Sequence, residues 1–205
     1  MSRANIKALV FDLGEVLIKL NFSKVMELRG SSERRLEASI HSMNQWPIYD
    51  AFERGVLKEA DFLKHLNAEL GISINIETFK TLWNSILGET VPGVEKILNR
   101  LATRYPLWTL TNSNESHIDY FKTHYPWHKE FQAVLTSFEL GCRKPEKEIY
   151  QKLIGIVGVK AQEILFVDDR LENVEGARAL GIQAELCSHT PRDLPKILGQ
   201  YSIQY

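Results

Sequence analysis

The chain has 205 residues, of which 44% are hydrophobic and 25% charged, a composition typical of a soluble globular protein and too apolar for a disordered one. Its 25 basic residues nearly balance 26 acidic ones, so no overall positive field favours nucleic acid or an anionic membrane as a partner. No apolar run approaches the roughly 20 residues that span a bilayer. Because a strand candidate begins close to the N-terminus, we expect no cleaved signal region and a cytoplasmic protein. Cys142 and Cys187 lack metal-site spacing and are expected to be buried thiols.

The first predicted element is a short strand, Ala8–Phe11, which is followed directly by Asp12 and then by Gly14. A short apolar run that ends in an acid and a glycine predicts a buried strand leading into a turn. Ligands of parallel α/β proteins bind beyond the carboxyl ends of the strands. Asp12 is therefore a candidate active-site carboxylate, although an acid in this position often serves only as a turn or capping residue.

From about residue 20 to residue 87 the sequence shows helical periodicity and no further strand candidate. Strands and helices then alternate, which predicts a Rossmann-like, doubly wound parallel sheet with right-handed crossovers. We therefore expect an α/β core at residues 1–19 and 88–205 and an inserted all-helical cap at residues 20–87. Helices are predicted at residues 22–29, 32–43, 47–54, 58–70, 76–87, 93–105, 115–123, 146–156, 172–180 and 192–198. The later strands are predicted at residues 107–110, 133–136, 164–167 and 183–187.

Polar groups follow three of these later strands. The run Thr-Asn-Ser-Asn at residues 111–114 has hydroxyl and amide groups suited to a phosphate, or to capping the next helix. Lys144 precedes Pro145, which favours an extended backbone at the lysine, although an isolated loop lysine is commonly a solvated surface residue. Asp168 and Asp169 end the fourth strand, where consecutive side chains point to opposite faces.

If Asp12 and Asp169 meet at one edge of the sheet, they need positive charge nearby. Two carboxylates 4 Å apart repel each other by about 4 kcal/mol at an effective dielectric constant near 20. Mg²⁺ binds through one or two carboxylates together with substrate phosphate oxygens, and Lys144 would supply further positive charge. These groups together predict a phosphoryl-transfer site.

Four segments, in order along nearly the whole chain, resemble the motifs of haloacid dehalogenase (HAD) superfamily hydrolases that carry an α-helical, C1-type cap. They are Phe-Asp-Leu-Gly-Glu-Val-Leu, Leu-Thr-Asn-Ser-Asn, Arg-Lys-Pro-Glu-Lys-Glu-Ile-Tyr and Phe-Val-Asp-Asp-Arg-Leu-Glu-Asn-Val. The Asp-x-Gly pattern of the first segment resembles that of sugar-1-phosphate phosphatase-like members.

The resemblance implies an enzyme that hydrolyses phosphoric monoesters through an aspartyl-phosphate. Asp12 would be the nucleophile, and Lys144 would neutralise charge on the nucleophile and the phosphate. Thr111 would bind the transferring phosphoryl oxygens, together with the amide of Asn112. The substrate would be a small phosphorylated metabolite, such as a hexose 1-phosphate.

The resemblance also implies Mg²⁺ as the cofactor. Its ligands would be the carboxylate of Asp12, the backbone carbonyl of Gly14 and the carboxylate of Asp169. Asp168 would act through water or support the site, and Asn173 would orient the acidic loop.

Gly14 is a departure from the family pattern, since most phosphatases of the superfamily carry a second Asp at that position as general acid and base. Its loss removes help that is typically worth about 10²–10⁴-fold in rate. We therefore expect a leaving group that needs little protonation, such as an anomeric or acyl phosphate. Glu15 is an alternative acid, unless it is merely a solvated or capping residue.

The cap is expected to select the substrate, with Trp46 and Arg54 as candidate binding residues. Their neighbours Tyr49 and Phe52 have the spacing of cap core residues. His117, like the other histidines of its region, shows no partner in the sequence and is interpreted as structural.

Two other functions remain open. The first is metal-independent carbon–halogen hydrolysis through an ester on Asp12, which has no use for Asp168 and Asp169. The second is a catalytically weak, phosphate-binding or scaffolding protein that has lost its general acid at position 14.

Overall fold

The structure is a computed structural model that describes residues 5–23 and 46–205. The predicted helices at residues 22–29 and 32–43 lie outside the described residues, apart from the first two positions. Within the described ranges, no helix combines the length and the apolar character that crossing a bilayer requires. Both cysteines are buried free thiols, as predicted.

The strands and helices are as follows. The strands are β1 (Ala8–Phe11), β2 (Ile18–Leu20), β3 (Leu87–Thr90), β4 (Leu107–Thr111), β5 (Phe131–Thr136), β6 (Ile164–Asp168) and β7 (Gln183–Leu186). The α-helices are α1 (Pro47–Glu53), α2 (Glu59–Leu70), α3 (Ile76–Asn84), α4 (Val94–Ala102), α5 (Glu115–His124), α6 (Ser137–Leu140), α7 (Lys147–Val157), α8 (Leu171–Arg178) and α9 (Thr190–Gln200). Short 3₁₀ helices cover Pro126–Glu130 and Ala161–Glu163.

Five strands form one parallel sheet in the order β5-β4-β1-β6-β7. The chain fills one half of the sheet, β4 and then β5, before it returns to the other side of β1 with β6 and β7. The direction of winding thus reverses at β1, which is the position in such sheets where a crevice opens for ligands. The predicted doubly wound α/β fold is confirmed.

The sheet is covered by helices on both faces because the side chains of its central strand alternate. Leu9 and Phe11 pack on one side among residues of α4, α5 and α9. Ala8 and Val10 pack on the other side among residues of α7 and α8. All four side chains are fully buried, and burying a large apolar side chain contributes roughly 1.5–3 kcal/mol to stability. The core therefore fixes the strand ends on which the polar groups stand.

Helices α1, α2 and α3 bury an aromatic cluster of their own. Phe52 and Phe62 stack with their ring centroids 4.2 Å apart, and Phe79 and Trp83 pack around them. Tyr49 also contacts Phe62 and Trp83, as expected for a core residue of this region.

Two short strands, β2 before this helical segment and β3 after it, pair with each other in antiparallel orientation. The expectation of a helical segment without strands from about residue 20 to residue 87 is wrong at both of its ends. These strands have three and four residues, include Lys19 and Gly88, and are mostly half-buried, so they show no clear alternation of polar and apolar residues. The helix that was predicted to reach residue 87 ends at Asn84, because Leu87 belongs to β3 and pairs with Leu20. The predicted domain boundaries fall within this strand pair.

Candidate active site

The carboxyl ends of β1, β4 and β6 bring three of the predicted polar positions together. Asp12 follows β1, Thr111 is the last residue of β4, and Asp168 is the last residue of β6. The parallel register continues past β1, because the Asp12 backbone N–H donates a hydrogen bond of 2.9 Å to the carbonyl of Val167. The two acids therefore stand side by side at the switch point of the sheet.

Three carboxylates form a tight cluster at this point. Asp12, Asp168 and Asp169 each offer an oxygen, and these atoms all lie within 4.8 Å of one another. Lys144 Nζ lies 2.9 Å from Asp12 Oδ1 and 2.7 Å from Asp168 Oδ2. Asp168 is 0% exposed, Lys144 4% and Asp12 8%, so these charges have little water to screen them.

Burial and like charges shift the pKa values of two carboxylates in this cluster. Burial raises the pKa of Asp12 to about 7, and the charges of Asp168 and Asp169 add to this rise while Lys144 opposes it. Burial and the charge of Asp168 raise the pKa of Asp169 to about 6. Lys144 supplies one positive charge to three carboxylates, and oxygen donors at this spacing suit a hard dication.

The two acids that end β6 have different surroundings. Asp168 accepts hydrogen bonds from Asn173 Nδ2 at 2.9 and 3.1 Å and from the Arg170 backbone N–H at 2.9 Å, in addition to Lys144. Asp169 lines the cavity above the cluster and is partly exposed. Asp168 is thus held within the protein, whereas Asp169 is the more accessible carboxylate.

Asn112 holds the loop that carries Lys144. Its side-chain Nδ2 donates to the Lys144 carbonyl and its Oδ1 accepts from the Lys144 backbone N–H, both at 2.9 Å. The side chain of Asn112 is therefore occupied. The predicted contact between an amide of Asn112 and phosphate stays a prediction, and it concerns the backbone N–H.

Residues 111–114, for which phosphate binding or helix capping was predicted, divide between the cavity and the start of α5. Thr111 lines the cavity beside Lys144. Asn114 is the N-cap of α5, and its Oδ1 accepts a hydrogen bond from the His117 backbone N–H. The run therefore combines one residue at the cavity with one that starts the helix.

Gly14 and Glu15 form the turn after Asp12. The Gly14 carbonyl accepts a hydrogen bond of 2.6 Å from the Val16 N–H. Glu15 adopts a left-handed backbone conformation with φ of 55°, and its Oε1 accepts a hydrogen bond from the Leu20 backbone N–H at 2.8 Å. The Glu15 carboxylate is thus turned to the strand β2, which does not favour its use as a general acid.

A cavity of about 210 Å³ opens above the cluster. Its floor includes Asp12, Thr111, Lys144 and Asp169. One part of its wall is apolar, and comprises Leu13, Leu20, Phe22, Trp83, Ile86, Leu87 and Ile118. Another part is polar, and comprises Tyr49, Glu53, Arg143 and Arg170.

The two predicted cap residues lie outside this cavity, and this placement corrects the expectation that they contact substrate. Arg54 is bound by Asp50 and Glu146, so its guanidinium is neutralised between α1 and the start of α7. Trp46 lines a separate cavity with residues of α1 and α2.

Three lining residues were not singled out for the site from the sequence: Glu53, Arg143 and His117. Glu53 and Arg143 form a buried ion pair between α1 and the Lys144 loop. His117 stacks on Trp83 with ring centroids 5.5 Å apart and donates from Nε2 to the Trp83 carbonyl at 2.9 Å. The structural role predicted for His117 agrees with these contacts. Arg143 directly precedes Lys144 in the sequence, and this proximity to a predicted site residue could have identified it as a candidate.

Comparison with known proteins gives consistent results. A family model described as haloacid dehalogenase-like hydrolase matches residues 6–181. The chain is 27% identical to the sesquiterpene phosphatase astK of Aspergillus oryzae over 86% of this chain and 87% of that protein. It is 26% identical to a D-ribitol-5-phosphate phosphatase of Bacteroides thetaiotaomicron over 87% of this chain and 90% of the relative.

The fold is likewise similar to that of a solved HAD family enzyme from Bacteroides thetaiotaomicron in complex with magnesium and inorganic phosphate. That similarity has a TM-score of 0.76 at 26% identity, and it covers 88% of this chain and 93% of the other.

Proposed function

The chain belongs to the haloacid dehalogenase-like hydrolases, and on that premise we propose that it is a Mg²⁺-dependent phosphatase that acts on a small phosphorylated metabolite. The observation that carries the proposal is the buried cluster of Asp12, Asp168 and Asp169 around Lys144 at the switch point of the sheet. Two relatives named as phosphatases, which match most of the chain, support hydrolysis of phosphate esters over hydrolysis of carbon–halogen bonds.

Asp12 is the proposed nucleophile. Its Oδ1 accepts a hydrogen bond from the Leu13 N–H at 2.8 Å and lies against Lys144 Nζ, so Oδ2 is the oxygen available for attack. An Asp12–phosphorus bond forms while the bond from phosphorus to the alcohol oxygen breaks, and the alcohol takes a proton from solvent. Water then attacks phosphorus, which releases inorganic phosphate and restores the carboxylate.

Lys144 and Thr111 position the phosphoryl group in this proposal. The ammonium of Lys144 compensates negative charge on Asp12 and on the incoming phosphate, and the buried setting strengthens that interaction. Thr111 lines the cavity beside Lys144 and offers a hydroxyl donor to a phosphoryl oxygen. Asn112 contributes by holding the Lys144 backbone on both its N–H and carbonyl sides.

Asp12, Asp169 and the Gly14 carbonyl would hold Mg²⁺, with Asp168 supporting the site. The clustered carboxylate oxygens are the hard donors that Mg²⁺ prefers. When bound, Mg²⁺ supplies positive charge that keeps the carboxylates ionised and offsets charge on the phosphoryl oxygens. Asn173 and Lys144 hold Asp168 in place without it.

Hydrolysis of p-nitrophenyl phosphate tests this function, because the aryl leaving group needs little protonation. We expect turnover with Mg²⁺ and loss of turnover with EDTA, restored by adding Mg²⁺ in excess. Chloride release from 2-chloropropionate that persists in EDTA would instead indicate a dehalogenase. Phosphate binding without turnover of any phosphate ester would indicate a scaffold.

A further inference from the structure

A buried carboxylate in the cavity wall has no role in the chemistry described so far. Glu53 is the last residue of α1, is 4% exposed and lines the cavity with Tyr49. Tyr49 lies one helical turn earlier, and its hydroxyl donates a hydrogen bond to the Glu53 carboxylate. Arg143 Nη2 lies 2.6 Å from Glu53 Oε2, as an ion pair without hydrogen-bond alignment. Arg143 Nε is also buried without a hydrogen-bond partner. The polar wall thus presents an acceptor and a donor that the described residues leave incompletely used.

Glu53 belongs to a different charge cluster from the nucleophile. The charges that act most strongly on Asp12 are those of Lys144, Asp168 and Asp169. Those that act on Glu53 are Arg143 and Asp50. Because Arg143 and Lys144 are consecutive, one loop supplies a cation to each cluster, and Glu53 and Asp12 line the same cavity.

The cavity lining also includes apolar side chains, among them Leu20, Trp83 and Ile86. An alcohol bound in this cavity therefore meets both apolar side chains and hydrogen-bonding groups. A volume of about 210 Å³ is below the roughly 300–1,000 Å³ of drug-sized ligand sites. The mixed lining and the small volume of the cavity fit a short polyhydroxylated chain or a small sugar.

We propose that Glu53 selects phosphate esters of small polyhydroxylated alcohols by accepting a hydrogen bond from a hydroxyl group of the alcohol portion. The proposal rests on the phosphatase function proposed above. Arg143 stabilises the charge of Glu53, and hydrogen bonds to a charged acceptor are stronger than those between neutral groups. An ester that lacks hydroxyl groups leaves Glu53 Oε2 without a well-aligned donor among the described residues, and sites of this kind discriminate strongly against such analogues.

Two five-carbon esters test the proposal. D-Ribitol 5-phosphate and n-pentyl phosphate are both phosphates of primary alcohols with five-carbon chains, and they differ in the hydroxyl groups. We expect wild-type kcat/KM to favour the ribitol ester by at least about 100-fold. In Glu53→Gln this preference should fall at least tenfold, because kcat/KM falls more for the ribitol ester than for the pentyl ester.

Glu77→Gln is the matched control, because Glu77 is an exposed glutamate on α3, and it should keep the full preference. An unchanged preference in a folded Glu53→Gln protein would overturn the proposal. If that variant does not fold, the wild-type ratio decides, and a ratio near one overturns the proposal. Absence of p-nitrophenyl phosphate turnover in wild type would instead overturn the phosphatase function itself.

Discussion

At the scale of single residues, Gly14 leaves the turn after the nucleophile without a carboxylic acid. A Cβ at position 14 would lie 3.1 Å from Leu20 Cδ1, so a side chain there requires a small shift of Leu20. Glu15, the next residue, is hydrogen-bonded to the backbone of β2. We therefore predict that turnover of alkyl phosphates is limited by protonation of the leaving group.

Substituting Gly14 by Asp should restore a proton donor. We expect Gly14→Asp to raise kcat/KM for alkyl phosphates by about tenfold or more, because general acid help matters most for poor leaving groups. The gain for p-nitrophenyl phosphate should be smaller. Parallel assays of the two substrates measure the difference, and equal gains would contradict the leaving-group explanation.

Because the Leu20 side chain must move for this substitution, Gly14→Asp should also be measured with Leu20→Ala. The double variant relieves the 3.1 Å contact, and Leu20→Ala alone is its control. If neither Gly14→Asp nor the double variant gains activity towards alkyl phosphates, steric conflict with Leu20 is not the cause, and the leaving-group explanation is contradicted.

His117 is held neutral by burial, which lowers its pKa from 6.5 to about 4 despite the hydrogen bond to Trp83. As the pH falls from 6.5 towards 4, the unfolded chain takes up a proton that the folded protein does not. The free energy of unfolding should therefore lose about 3 kcal/mol from this group over that range. Urea unfolding of wild type and His117→Gln at pH 7, 5.5 and 4.5 checks this prediction. The stability advantage of wild type should shrink as the pH falls, and an advantage that is independent of pH would contradict it.

At the scale of elements, an ionic network joins α1 to the loop that carries Lys144. Arg143 Nη1 donates to Asp50 at 2.9 Å, and Arg143 Nη2 pairs with Glu53. Arg54 binds Glu146, so two arginines link three acids across the two elements. The side chains of Arg143 and Glu53 are only 12% and 5% exposed, so their pairing matters more than that of surface ions.

Removing the Arg143 charge should leave Glu53 buried and unpaired. We expect Arg143→Met to lower the free energy of unfolding by about 3 kcal/mol, and the double variant with Glu53→Met to recover much of that loss. Denaturant unfolding of the two variants measures both effects. Arg192→Met, which removes an exposed partner of Asp193, is the control and should leave the denaturation midpoint nearly unchanged. A double variant as unstable as the single one would contradict the buried-pair explanation.

At the scale of the whole molecule, the sheet and the convergence of Asp12, Thr111 and Asp168 were predictable from the sequence. Parallel strands end at one edge, and β1 is the strand at which winding reverses, so residues that follow these strands must approach one another. The prediction needed only buried apolar runs, such as Ala8–Phe11 and Ile164–Asp168, and the polar residues directly at their ends.

Side chains whose partners come from distant segments were not predictable in the same way. Arg54 donates hydrogen bonds to Glu146, which lies 92 residues further along the chain. Asn112 is hydrogen-bonded to the Lys144 backbone, 32 residues away. Glu53 belongs to the cavity only because α1 packs against the loop that carries Arg143. Strands β2 and β3 were missed because their pairing spans the whole helical segment and leaves no local pattern.

The most direct test of the central claim is the activity of Asp12→Asn towards p-nitrophenyl phosphate at saturating Mg²⁺. We expect kcat/KM to fall by at least about 10³-fold, because the covalent route through the carboxylate is lost. Asp119→Asn, at an exposed position of α5, is the matched control and should retain wild-type activity. A folded Asp12→Asn protein that keeps activity within tenfold of wild type would contradict the account.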